Sequence, residues 1–230
     1  MSTFFPELSD IRDTFHQAVM NQEGEVAECL ESDNSLFIRA RLAADDCARP
    51  GDIMNPGVAL RCRETQIEVC PYVYRQVCRN GAILARSTGA AEFCRNEWQH
   101  ELSDQVLQQI SDAVAACTSE ESRADYFDQI RESALAPASM DLLLTIMPLV
   151  PGLLEQSPGL LSTILGEFDM ANDRTGFGLM NAITSTARDT HDPETKWELE
   201  KLGGLVPAHQ SSCEFSTPGL NEDVSVRPLW

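Results

Sequence analysis

Four arginines alternate with apolar residues in two short runs: Arg39 and Arg41 within residues 36–42, and Arg61 and Arg63 within residues 58–63. In the first run Leu36, Ile38, Ala40 and Leu42 point one way, and Phe37, Arg39 and Arg41 the other. In the second, Val58, Leu60 and Cys62 oppose Arg61 and Arg63. Period two is the pattern of strands with one buried face. A guanidinium forks onto phosphate and a flat ring stacks on an unpaired base. A face carrying Arg39, Arg41, Arg61 and Arg63 with Phe37 and Tyr74 therefore has the chemistry to track a single strand of nucleic acid. The same residues have a plainer reading, in which acidic helices cover this face and the arginines make structural ion pairs.

Other constellations are thinner. Asp52, Glu64 and Gln66 place a carboxylate before a hairpin and an acid–polar pair two apart on a strand, a donor set that suits Mg²⁺ and phosphate oxygens. No lysine accompanies it. The eight cysteines contain no C-x-x-C pair, although Cys62, Cys70 and Cys78, followed by Cys94 and His100, are evenly enough spaced to consider a metal. Structural zinc sites usually need close pairs, and buried thiols behave as small hydrophobes. The four histidines lie in unrelated contexts and no G-x-S-x-G occurs. No catalytic residue, metal ligand or cofactor is assigned from these patterns.

Charge narrows the partners. The chain has 17 basic and 36 acidic residues and a net charge of −19, which excludes a nucleic-acid binder working through a global positive field. The charge is uneven. Residues 36–95 carry nine arginines against six acids, for +3, leaving −22 for the rest. Such an acidic shell keeps a protein soluble, and it also suits a basic protein partner.

Turn and period signals arrange these residues. Asn80-Gly81, between an alternating run (residues 69–78) and a short apolar run (82–85), fits a type I′ hairpin turn. Asn55-Pro56-Gly57 suggests a second turn. Together they outline an antiparallel meander over residues 36–86, with Pro71 marking an edge, bulge or bend. Helices are expected over 6–20, 98–117, 176–188 and from Pro193, capped by Asp192 and stopped at Gly203-Gly204. Another begins at a Thr118/Glu121 capping box. The acidic stretch 23–33 reads as a short helix or loop, and residues 139–170 as helical pieces broken by prolines. Strands grouped before helices give an α+β fold, a small antiparallel sheet covered by C-terminal helices. The expected organisation is one domain over 1–205, with a sheet module at 36–95, a helical part at 96–205 and a poorly ordered tail at 206–230. The most apolar stretch, 142–154, is broken by Pro148 and Pro151 and is too short to span a bilayer. With no basic, apolar leader at the start, a reducing, cytoplasmic setting is expected.

Residues 51–84 resemble the phage/plasmid-like protein family known as domain of unknown function 932. The likeness rests on Gly51, Asp52, Pro56, Gly57, Pro71, Tyr74, Arg75, Cys78, Asn80 and Gly81, and on the later stretch NAITSTARDT…WELEKLGG. Of the Asn-Ser-Glu that family members usually carry after the first meander strand, only Glu64 is kept. The resemblance implies an accessory protein of a mobile element and supplies no activity. The resulting expectation is a non-enzymatic accessory protein that binds single-stranded nucleic acid through the arginine/aromatic face. The alternatives are a protein-binding inhibitor or mimic acting through the acidic surface, and a divalent-metal nuclease. No membrane partner is expected.

Overall fold

A computed structural model describes residues 6–43, 46–64, 66–94, 103–150, 152–153 and 159–213. Helix α1 (Leu8–Asn21) buries Ile11, Phe15, Ala18 and Val19, the stripe that helical periodicity predicts. Then come strands β1 (Gly24–Glu31), β2 (Ser35–Leu42), β3 (Asp46–Cys47), β4 (Ile53–Arg63), β5 (Gln66–Arg75), β6 (Asn80–Ile83) and β7 (Ala91–Cys94). Helices α2 (Ser103–Cys117), α3 (Glu120–Ser133) and α4 (Met140–Ile146), a 3₁₀ turn at Met147–Leu149, and α5 (Leu160–Ala171), α6 (Gly176–Arg188) and α7 (Pro193–Cys213) complete the chain. The fold is α+β. One antiparallel sheet runs β1-β2-β4-β5-β6, with β3 on β4 and β7 on β5.

Both faces of the sheet are covered. On one, Leu36, Ile38, Ala40, Val58, Leu60, Cys62, Ile67 and Val69 pack against α1 and α2. Farther along that face, Val73 and Ala82 join the core formed by α3 to α7. On the other face lie Phe37, Ala59, Cys70, Tyr72 and Ile83, and Trp197 of α7 sits over them. The two-faced burial of β2, β4 and β5 explains why the run from Met54 to Cys62 is buried throughout.

Several expected turns are strand instead. Asn55-Pro56-Gly57 lies inside β4, opposite Val73 and its neighbours. Gly57 is needed because a Cβ there would collide with the Ala40 carbonyl of β2. The β5–β6 turn falls at residues 76–79, with Arg79 left-handed at φ 52°, and Asn80-Gly81 opens β6 opposite Arg75 and Tyr74. The acidic stretch 23–33 forms β1, an edge strand with alternating half-buried and exposed residues, not a helix or loop. Glu25 and Glu28 bond Arg41 and Arg39 of β2, so the alternation is polar and apolar periodicity does not report it. Pro71 is a central-strand residue. β5 pairs with β7 up to Val69 and with β6 from Tyr72, so Pro71 falls where the neighbour changes. There a missing N–H breaks no ladder, while its carbonyl accepts from the Leu84 N–H at 2.9 Å.

Among helix ends, Asp192 caps α7 as expected, its carboxylate accepting the Thr195 N–H at 2.8 Å. The α3 cap is Ser119, which accepts from Ser122 N–H, while the Thr118 hydroxyl turns back to the Val114 carbonyl. Gly203-Gly204 does not end α7, which continues to Cys213 with Pro207 inside it. The glycines admit close packing: a Cβ on Gly204 would strike the Ile83 carbonyl of β6, and one on Gly203 the Thr184 methyl of α6. The expected tail at 206–230 is therefore helical as far as 213, and 214–230 lie outside the described residues, as does the expected start of the 98–117 helix.

Candidate anion-binding cleft

The register puts the predicted arginines on one face. Phe37 pairs with Arg61, Ser35 with Arg63, and Arg39 and Arg41 with Ala59 and Gly57. The segregation of guanidinium groups from the apolar face is thus as the alternation implies, but the face is not open. Arg39 and Arg61 are 2% and 3% exposed, and Phe37 is buried against Trp197. Neither buried arginine nor Phe37 can lie along a strand of nucleic acid, and the continuous sheet surface expected from these residues is corrected on that ground.

Helix α7 is what closes it. Glu194, Trp197, Glu198 and Lys201 recur at i, i+3, i+4 and i+7, one stripe of a helix, and Lys196 and Glu200 form the adjacent stripe. Arg61 donates to Glu198 at 2.5 Å and Glu194 at 2.9 Å, and also to Glu68 across the β4–β5 pair. Lys201 reaches the other Glu68 oxygen at 3.0 Å. Arg39 donates through Nε to Glu200 at 2.6 Å and through Nη1 to Glu28 of β1 at 2.9 Å. Lys196 also holds Glu28. The Trp197 ring is within cation–π reach of both guanidiniums, 5.7 Å from Arg39 and 5.2 Å from Arg61, an arrangement strengthened by desolvation. Arg63 is at the margin, 40% exposed and 3.5 Å from Glu194.

Burial pushes the Glu200 carboxyl up to about 7, against the opposing pull of Arg39 and Lys196. Burial also pushes on Glu68, but Arg61 and Lys201 outweigh it and hold that carboxyl below its ordinary range. The phenol of Tyr72 is raised well above its usual value, first by burial and then by the Glu200 charge.

Beside this network, between β1, the start of β6, the end of α6 and the first turns of α7, lies a cleft of about 360 Å³. Arg39, Arg41, Arg79, Arg188 and Lys196 line it, against Glu25, Glu28 and Glu200. Five cations in one concavity stand out in a chain of net charge −19. Arg41 pairs with Glu25 at 2.5 Å and lies 5.5 Å over the Tyr74 ring. Arg188 bonds Asp189 and the Cys78 carbonyl. Arg79 makes no ion pair among the described residues and is exposed. Two buried polar atoms of cleft-lining residues have no partner, Nη2 of Arg39 and Oδ1 of Asn80. Gly81 lets the Tyr72 ring lie flat on β6, where a Cβ would collide with it.

The sequence-predicted residues therefore divide. Arg39, Arg41 and Tyr74 meet in the cleft, whereas Arg61, Arg63 and Phe37 belong to the contact with α7. Arg79, Arg188 and Lys196 were missed as cleft residues, because a turn, a helix end and another helix contribute them from distant positions. The motif residues have structural duties. Asp52 pairs with Arg75 through two 2.6 Å bonds, the Arg75 Nη1 also donates to Cys78 Sγ at 3.1 Å, and Gly51 sits at φ 83°.

The nuclease set is not assembled. Asp52 and Glu64 flank opposite ends of β4, roughly 40 Å apart at ~3.3 Å per residue. Asp52 is held by Arg75, Glu64 accepts from Asn34 at 2.8 Å and Gln66 bonds Glu92. Cys62 and Cys70 face opposite sides of the sheet, and burial pushes each thiol up to about 12. Among the described residues no cluster of three or more His, Cys, Asp or Glu could hold a metal ion, and no helix is long and apolar enough to cross a membrane. No family model, curated protein or solved structure matches the chain.

Proposed function

We propose that this is a non-enzymatic accessory protein, of the phage or plasmid type its motif suggests, whose cleft binds a phosphate-bearing ligand of the nucleic-acid class. The observation that carries this reading is the gathering of Arg39, Arg41, Arg79, Arg188 and Lys196 in one cleft, where Arg79 is exposed and makes no ion pair among the described residues. An exposed guanidinium among further cations is a forked, charge-assisted donor for an oxyanion. Tyr74 at the rim offers a ring for a base. Single-stranded nucleic acid is engaged at one nucleotide, not along the sheet.

Fluorescence anisotropy with a short labelled single-stranded oligonucleotide tests it. Arg41→Ala and Arg79→Asn, the latter tolerating the positive φ, each weaken binding by about tenfold, while Arg63→Ala leaves it unchanged. Few phosphates are contacted, so the logarithmic salt slope is shallow, about −2. Absence of binding, or sensitivity to Arg63→Ala alone, contradicts the proposal.

A second reading draws on the charge distribution. Among the described cations only Arg79, Arg86 and Arg123 make no ion pair, so the outward field is left to carboxylates. That favours capture of a basic protein, and its signature is complex formation with a basic protein that persists in Arg41→Ala and Arg79→Asn.

A further inference from the structure

We infer that Glu25 is a built-in competitor for the cleft's anion. Its carboxylate holds the Arg41 guanidinium where a ligand phosphate docks, and binding exchanges one for the other. This rests on the cleft taking an anion and adds what governs its entry.

The geometry of Arg41 is the first argument. Glu25 Oε1 accepts from Arg41 Nε at 2.6 Å and lies 2.5 Å from Nη2. Those two nitrogens form one edge of the guanidinium, an edge on which oxyanions dock side-on. A phosphate reaching that edge displaces the carboxylate. Arg39, the other sheet arginine of the cleft, is engaged differently. It is buried, with Nε on Glu200 and Nη1 on Glu28, and offers no comparable exchange.

The second argument is exposure. Three carboxylates line the cleft, Glu25, Glu28 and Glu200. Glu200 is buried on Arg39, and Glu28 is held both by Arg39 and by Lys196 at 2.7 and 2.8 Å. The Glu25 side chain is 64% exposed and, among the described residues, pairs with Arg41 alone. An exposed pair of this kind contributes little and opens at small cost, whereas opening the other two strands a buried guanidinium. There is also room for the carboxylate to leave. Glu25, Arg41, Tyr74 and Arg79 line both the cleft and an adjoining hollow of about 390 Å³, so the pair stands where two open spaces meet and its separation repacks nothing.

Anisotropy titration with the same short single-stranded oligonucleotide reads the exchange. Glu25→Gln is expected to tighten binding about fivefold, the scale of one exposed ion pair. In the Arg41→Ala background the same change is expected to have no effect, because the guanidinium competed for is gone. Glu31→Gln removes the same charge from the same strand, outside the cleft. It lies about 20 Å along β1, beyond the screening length, and is expected to leave affinity unchanged. No gain in Glu25→Gln, or an equal gain in the Arg41→Ala background or from Glu31→Gln, overturns this inference and leaves the anion reading standing. If neither the wild type nor Glu25→Gln binds the oligonucleotide, the anion reading falls with it.

Discussion

Arg39 and Arg61 are held in a part of the molecule that usually excludes charge. Burying a guanidinium is costly unless its partners compensate, and here five cations (Arg39, Arg61, Arg63, Lys196, Lys201) interlock with five carboxylates (Glu28, Glu68, Glu194, Glu198, Glu200). Removing one member strands the others. Arg61→Leu is expected to cost about 3–5 kcal/mol in urea unfolding, and the Arg61→Leu/Glu68→Leu pair less than the sum of the two single changes. Glu200 gives the network a pH dependence. Its carboxyl is raised from 4.5 to about 7 when folded, so the folded state holds a proton that the unfolded chain releases between those values. Its contribution is therefore fully favourable below 4.5 and is lost as pH rises through 7, by about 3 kcal/mol at most. Glu68, lowered in the fold, acts oppositely, its contribution being present above 4.5 and lost on further acidification. Unfolding profiles of the wild type and Glu200→Gln from pH 5 to 8 should converge at one end and separate across this window, the wild type alone losing stability toward pH 8. Parallel profiles contradict the assignment.

At the scale of elements, α7 decides what the sheet can do. Its contact with the sheet is a charged stripe with one indole, so hydrophobic periodicity does not announce it, and Gly203-Gly204 imitates a helix stop. The strands announced themselves better. Alternation in residues 36–42 and 58–63 gives β2 and the second half of β4, and the apolar stripes of α1, α2 and α6 give those helices. Local pattern offered both an open arginine face and one covered by an acidic helix, and it could not decide between them, because whether a polar face meets water or another polar face is set by distant residues. The glycines make this testable. Gly204→Ala, although Ala is the better helix former by about 1 kcal/mol, should destabilise the protein by about 2 kcal/mol or more through its clash with β6. Gly166→Ala on α5, where a Cβ meets open space, should stabilise by about 0.5–1 kcal/mol. Thermal denaturation of both variants reads the two signs.

For the whole molecule, most described cations are paired with carboxylates, and five of them gather in one cleft. The local excess of arginine at residues 36–95 was legible in sequence, and so was the shared face of Arg39, Arg41, Arg61 and Arg63. The cleft was not, since Arg79, Arg188 and Lys196 come from a turn and two helices whose positions depend on tertiary packing. Hydrogen exchange read by mass spectrometry, with and without a saturating short single-stranded oligonucleotide, addresses the central claim directly. The account predicts added protection in residues 25–28 and 79–81, which line the cleft, with residues 58–63 unchanged beneath α7. Protection centred on residues 58–63 and 193–200, or none in the cleft peptides, contradicts it.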